Sequence, residues 1–123
     1  MPVSTTATAQ TAGLALSEAL AEYGVTAHRD GDAGDSWLLV NTDASNTHPG
    51  VGMPQLVAFV YDFLSGDSLS VDAPAEHYAG RWRVSYSSGT REDVVFYGKA
   101  SGPAGTAECA AFIADRVSGP VAA

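Results

Sequence analysis

Cysteine is nearly absent from this sequence: Cys109 is the only one among 123 residues. A single cysteine excludes a disulfide within the chain and any metal site built from several thiolates. Long apolar runs are also missing, because no stretch approaches the roughly 18 residues of a membrane-spanning helix. The first ten residues lack the basic and apolar regions of a signal peptide. We therefore expect a cytoplasmic protein that does not enter a membrane.

Positive charge is scarce as well, with six lysine and arginine residues against 14 acidic ones and a formal net charge of −8. Between residues 30 and 80 there is no lysine or arginine, and the acids there are Asp30, Asp32, Asp35, Asp43, Asp62, Asp67, Asp72 and Glu76. The other six acids balance the six basic residues, so this segment carries the whole net charge. Nucleic acid is not an expected partner, since binding to phosphates needs clustered cations.

What the sequence does contain is a globular composition, with 46% hydrophobic residues. A chain of this length can bury one core without disulfide or metal support. We expect a flexible Ser/Thr-rich leader over residues 1–8, a single domain over residues 9–119 and a tail over residues 120–123.

Two amphipathic patterns predict a helix towards each end of the chain. The first helix is expected to end at Gly24, with an apolar face made by Ala9, Ala12, Leu16, Leu20 and Tyr23. The second is expected to start at an N-cap, Thr106, and to stop at Gly119-Pro120. Its apolar face consists of Cys109, Phe112, Ile113 and Val117. On that face Cys109 is predicted to be a buried small hydrophobe rather than a nucleophile.

Between the helices the pattern is typical of strands. "VTAHR" and "SWLLVNT" flank an Asp/Gly cluster as a hairpin, and "RWRVSYSSGTREDVVFYGK" predicts a second hairpin. The segment 55–64 fits a helix or a strand, and its β-branched and aromatic residues favour a strand. The segment 66–80 is predicted to be an irregular connection. The predicted fold is α+β: an antiparallel meander of about four to five strands with the N- and C-terminal helices packed on one face.

The cluster "HRDGDAGDSW", residues 28–37, raises the question of a calcium loop. Counted from Asp30, the fifth position is Gly34, the sixth is Asp35 and the twelfth is Asn41. An EF-hand needs an oxygen ligand, a glycine and a glutamate at those positions, so the cluster is predicted to be a hairpin turn. The three histidines share no metal-ligand spacing. No metal and no cofactor is predicted.

One polar cluster offers possible acid–base chemistry. "AEHYAGRW" places Glu76, His77, Tyr78 and Arg81 together before a strand, where they could line a pocket. A polar loop that hydrogen-bonds to the sheet explains the same residues. No nucleophile elbow, phosphate loop, dinucleotide fingerprint or zinc-protease motif accompanies them. A small-ligand-binding protein or enzyme with a pocket near His77, Tyr78 and Arg81 is therefore the second hypothesis.

The first hypothesis is a small acidic, non-enzymatic interaction module that docks on a protein partner. Its acidic surface, which steers a basic partner, is made by Asp30, Asp32, Asp35 and Asp43. Solubility alone is the competing explanation of the charge.

The stretches "ALAEYGVTAH" and "PAEHYAGRWRVSY", followed by a further strand and an Ala-rich helix, resemble small uncharacterised α+β proteins of high-GC actinobacteria and of their phages and integrative elements. The resemblance covers most of the chain. It implies an accessory or mobile-element context, and no activity is known for such proteins that could be carried over.

Overall fold

The computed structural model describes residues 11–32, 35–42, 49, 54–62, 67–69, 71–72, 81–88, 90–100 and 102–118. Within these ranges the elements in chain order are α1 (Ala12–Ala21), β1 (His28–Asp32), β2 (Asp35–Asn41), β3 (Gln55–Asp62), β4 (Asp67–Leu69), β5 (Arg81–Ser87), β6 (Glu92–Tyr97) and α2 (Gly102–Ser118). The expected leader, residues 1–8, and the expected tail, residues 120–123, lie outside the described residues.

The strands form one antiparallel sheet in the order β1-β2-β3-β5-β6. The eight residues of β3 are long enough to hold two neighbours on the same edge, with β2 along its first half and β4 along its second. The meander and the strand at residues 55–62 are confirmed. The short strand β4 shows that the expectation of an irregular connection over residues 66–80 was wrong at residues 67–69.

Both helices pack on one face of the sheet, as predicted. Alternate residues of three central strands point to the helices and are almost completely buried: Leu38, Val40, Leu56, Ala58, Val60, Trp82 and Val84. From the helices they meet Leu16, Leu20, Cys109, Ile113 and Val117 in one core. Cys109 is fully buried, and this burial raises the pKa of its thiol, so its predicted role as a small hydrophobe is confirmed.

The end of α1 follows the predicted cap. Gly24 has a φ of 79°, and the next N–H, that of Val25, donates to the carbonyl of Leu20 at 3.0 Å. The expectation that Tyr23 lies on the apolar face was wrong, since this side chain is 58% exposed. The reason is that the helix ends at Ala21 and Tyr23 belongs to the turn that follows.

The start of α2 differs from the prediction. The helix begins at Gly102, and Thr106 lies inside it rather than at its N-cap. Pro103 is tolerated there because an N–H group in the first turn of a helix has no acceptor within the helix, so its absence in proline costs no hydrogen bond. The hydroxyl of Thr106 is buried and accepts a hydrogen bond from the indole Nε1 of Trp82 at 3.3 Å. Thr106 therefore joins α2 to β5.

A buried chain of hydrogen bonds joins α1 to the sheet. The hydroxyl oxygen of Ser36 accepts a bond from the N–H of Val71 at 3.0 Å. The carbonyl of Val71 in turn accepts a bond from the N–H of Gly13 at 2.8 Å. A Cβ at Gly13 would lie 3.1 Å from the Val71 side chain, so this close approach favours glycine. The chain satisfies a donor of the first helical turn that has no partner within the helix.

We expect Ser36→Ala to lower the free energy of unfolding by about 1 to 3 kcal/mol, because the N–H of Val71 would remain buried without an acceptor. Urea unfolding measures this change. Ser88→Ala is the matched control, since the Ser88 hydroxyl also bonds to the backbone, by donating to the carbonyl of Arg91, but is exposed; its effect should stay within about 0.5 kcal/mol. Equal effects of the two substitutions would contradict the role of Ser36.

Candidate functional site

The face of the sheet opposite the helices carries a large apolar and aromatic surface. Because side chains alternate along a strand, the neighbours of the core residues point away from the helices. We call this surface the open face and define it by Trp37, Leu39, Val57, Phe59, Tyr61, Arg83 and Tyr97. Such a composition is unusual, because the solvent face of an antiparallel sheet is ordinarily polar.

A concavity of about 490 Å³ lies on the open face. Its lining comes from five strands and consists of Asp30, Trp37, Leu39, Gln55, Val57, Phe59, Ser87 and Glu92. The floor is aliphatic and aromatic, and the polar groups are one amide, one hydroxyl and two carboxylates. This volume falls within the range of about 300 to 1,000 Å³ found for small-molecule sites.

At one side of the concavity a carboxylate stands beside an indole. Asp30 of β1 and Trp37 of β2 are direct partners in the sheet. Residues opposite each other in antiparallel strands have their Cβ atoms about 5 Å apart. Asp30 is exposed and accepts a hydrogen bond from the N–H of Gly31 at 2.9 Å. This side of the concavity therefore combines a negative charge with an aromatic surface.

The same register confirms a hairpin at residues 28–37, with Asp32 and Asp35 as backbone partners. The prediction that the whole Asp/Gly cluster is its turn was wrong at Asp30, Gly31 and Asp32, which belong to β1, and at Asp35, which belongs to β2. Residues 33 and 34 lie outside the described residues, as does Asp43.

On the other side of the concavity, three polar residues form a row across three strands. Gln55 of β3 is the direct partner of Ser87 of β5, which is the direct partner of Glu92 of β6. The amide Oε1 of Gln55 is buried, and it accepts no hydrogen bond within the described part of the chain. A buried acceptor left without a donor costs about 1 to 3 kcal/mol. A ligand N–H could bond to this oxygen once the Gln55 side chain turns towards the concavity.

A guanidinium already lies among aromatic rings on the open face. The Cζ of Arg83 is 3.9 Å from the ring centroid of Tyr61 and 4.9 Å from that of Tyr97. Both distances are within the range of cation–π attraction. The open face can therefore hold a cation against its aromatic side chains.

Of the four residues of the alternative pocket, only Arg81 lies within the described residues. Arg81 is exposed at the start of β5, where it pairs with Tyr61, and it is not one of the lining residues. Glu76, His77 and Tyr78 lie outside the described residues, so the hypothesis of a pocket around them stays a prediction.

The described residues contain no group of three or more His, Cys, Asp or Glu residues arranged to hold a metal ion. None of the helices that they form is long and apolar enough to span a membrane.

Sequence reasoning missed most of the concavity, since of its lining only Asp30 was a predicted site residue. The signal was nevertheless present. In "SWLLVN" and "QLVAFVYD" apolar residues follow one another instead of alternating with polar ones, which is the pattern of a strand with apolar side chains on both faces.

Comparison of the chain with protein-family models, with curated proteins and with solved structures finds no match. The function is therefore inferred from the geometry of the site.

One acid of the segment 30–80 is engaged in an ion pair. Arg29 of β1 binds Asp72, which follows β4, and its Nε donates to the Asp72 Oδ1 at 2.8 Å. The hydrogen bond from Arg29 lowers the pKa of Asp72, and the same bond raises the pKa of Arg29. The pair ties the acidic hairpin to the segment that holds Val71.

This pair predicts a pH dependence of stability. A carboxyl group whose pKa is lowered by folding stabilises the protein above its unfolded pKa, about 3.9 for aspartate, and loses that contribution as the pH falls through its folded pKa. Wild type should therefore be more stable than Asp72→Asn at pH 7, and the difference should vanish in acid. Thermal unfolding between pH 2 and 7 measures it, with Asp115→Asn as a control for the loss of one exposed carboxylate. Parallel curves for wild type and Asp72→Asn would exclude the effect.

Proposed function

We propose that this chain is a non-enzymatic interaction module that docks on a protein partner through the open face. The observation that carries the proposal is an aromatic and aliphatic sheet face with carboxylates at its borders. Trp, Tyr and Arg are the residue types that dominate the energy of protein interfaces. Trp37, Tyr97 and Arg83 supply all three types on one side of the sheet.

The charge of the chain favours a basic partner. The concavity is bordered by Asp30 and Glu92. The acidic surface predicted from the sequence also includes Asp32, Asp35 and Asp43. Complementary charge accelerates encounter and selects among partners. A second copy of this chain would bring a further net charge of −8 to the interface. We therefore commit to a different protein, with a basic surface, as the occupant.

The spacing of the carboxylates supports docking rather than catalysis. Asp30 and Glu92 belong to the first and last strands in the order β1-β2-β3-β5-β6. Four strand spacings separate them, which is roughly 19 Å across the sheet. Carboxylate pairs that share one reaction lie about 5 to 10 Å apart. These two acids suit an extended partner better than a single reacting bond.

A small-ligand binder is the second candidate function. The volume of the concavity and the buried Oε1 of Gln55 favour it. This alternative includes the second hypothesis drawn from the sequence, a small-ligand-binding protein or enzyme with a pocket near His77, Tyr78 and Arg81. For either function we propose a cytoplasmic location, since a free buried thiol suits a reducing compartment, and the accessory or mobile-element context that the resemblance implies.

Two tyrosines provide a matched test of the docking face. Tyr97 on the open face and Tyr23 beyond the end of α1 are both 58% exposed. With the photo-crosslinking residue benzoylphenylalanine at either position, in cells that produce the protein, we expect protein adducts from position 97 and not from position 23. Trp37→Ala should remove those adducts, because it deletes an aromatic anchor of the same face, three strand spacings from position 97. Adducts from position 23 alone, or adducts from position 97 that Trp37→Ala leaves unchanged, would refute docking on the open face.

The acidic hairpin has a separate test. We expect the triple variant Asp30→Asn, Asp32→Asn, Asp35→Asn to associate more slowly with the crosslinked partner, and the difference to shrink with salt, because charges beyond about 8 Å are screened at physiological ionic strength. Stopped-flow association measures the rate. The control variant Glu18→Gln, Glu22→Gln, Asp115→Asn removes three charges from the helices instead. Equal slowing of both variants would show that the total charge of the chain, and not the position of these aspartates, sets the association rate. No slowing would show that Asp30, Asp32 and Asp35 do not contribute to association.

A further inference from the structure

We infer that the row of Gln55, Ser87 and Glu92 is a subsite for an arginine side chain of the partner. This inference rests on the proposed function, and it specifies the chemistry of the contact. Its starting point is Gln55, which lines the concavity and whose Oε1 is buried and accepts no hydrogen bond from the described residues. Turning of the Gln55 side chain towards the concavity would expose this oxygen to an N–H of the partner, and that bond would satisfy the acceptor.

The register sets the width of the subsite. Gln55 and Ser87 are direct partners, as are Ser87 and Glu92, so the row spans two strand spacings, or roughly 10 Å between the Cα atoms at its ends. An amide oxygen, a hydroxyl and a carboxylate thus stand in line on one surface. An arginine offers five N–H donors in a planar fork, which can serve several such acceptors at once.

The floor beside the row suits the rest of an arginine side chain. Val57 follows Gln55 by two residues on β3 and lines the concavity with Phe59, so an aliphatic stem would lie on apolar side chains. A guanidinium is more weakly hydrated than an ammonium and stacks on aromatic rings. Arg83 shows such stacking on this same face, between Tyr61 and Tyr97.

The extent of the concavity favours a protein as the source of the arginine. The pair of Asp30 and Trp37 forms a second place for a cation, on the side of the concavity away from Glu92. A segment with several basic residues can occupy both places at once. A free small molecule of arginine size covers only one of them.

The probes for the test are hexa-arginine, hexa-lysine and hexa-citrulline peptides, and the readout is two-dimensional ¹H–¹⁵N NMR. We expect hexa-arginine to shift the side-chain amide signals of Gln55 and the backbone signals of Ser87 and Glu92 in a saturable way. Hexa-lysine should bind more weakly, and the uncharged hexa-citrulline should leave these signals unchanged. Loss of a hydrogen bond to a charged group should weaken hexa-arginine binding about tenfold in Gln55→Met and in Glu92→Gln. Glu22→Gln, on the helix side, is the control that should bind like wild type.

Each other result decides between the inference and the proposed function. Equal affinity for hexa-lysine would overturn the preference for arginine and leave basic docking intact. Binding of hexa-arginine that neither Gln55→Met nor Glu92→Gln weakens would place the cation elsewhere. If no peptide shifts the NMR signals of the open face while position 97 still crosslinks a partner, the arginine subsite is wrong and docking on the open face is retained. If the crosslink is also missing, both the subsite and the docking face are wrong. Gln55→Met keeps the side-chain length, and the dispersion of its NMR spectrum verifies the fold.

Discussion

The packing of both helices on a single face of one sheet is the constraint on which the other features of the structure depend. The core uses only every second residue of each strand, such as Leu56 and Val84. The residues between them point away from the helices. Trp37 and Phe59 are therefore apolar although packing against the helices does not require it. Packing against the helices thus uses one face of the sheet, and the proposed docking uses the other.

The sequence predicted the architecture well because periodicity reports burial. The hairpin of β5 and β6 and the cap at Gly24 correspond directly to local backbone geometry, and both are confirmed. The start of α2 could not be predicted in the same way. Glycine and proline at positions 102 and 103 are typical of a loop, and Thr106 is a common N-cap residue. Its hydroxyl instead serves Trp82, a partner 24 residues away that only the tertiary structure brings close.

The candidate site was harder to predict for a related reason. Counting charges identified Asp30 and its neighbours, but the row that ends at Glu92 depends on two strand registers. Gln55 and Glu92 are far apart in the sequence, and a shift of one residue in either pairing would turn one of them to the other face. The pairing of Arg29 with Asp72, 43 residues away, likewise cannot be seen from composition.

The single thiol of Cys109 gives the fold a built-in reporter. Its sulfur lies in the core between the helices and the sheet, where its raised pKa also disfavours the reactive thiolate. A thiol reagent can therefore reach it only when the helix layer separates from the sheet, and the labelling rate follows the free energy of that opening. A cysteine introduced on the open face would by contrast react at once. One molecule would then carry a fast-reacting thiol that reports coverage of the open face and a slow-reacting thiol that reports unfolding.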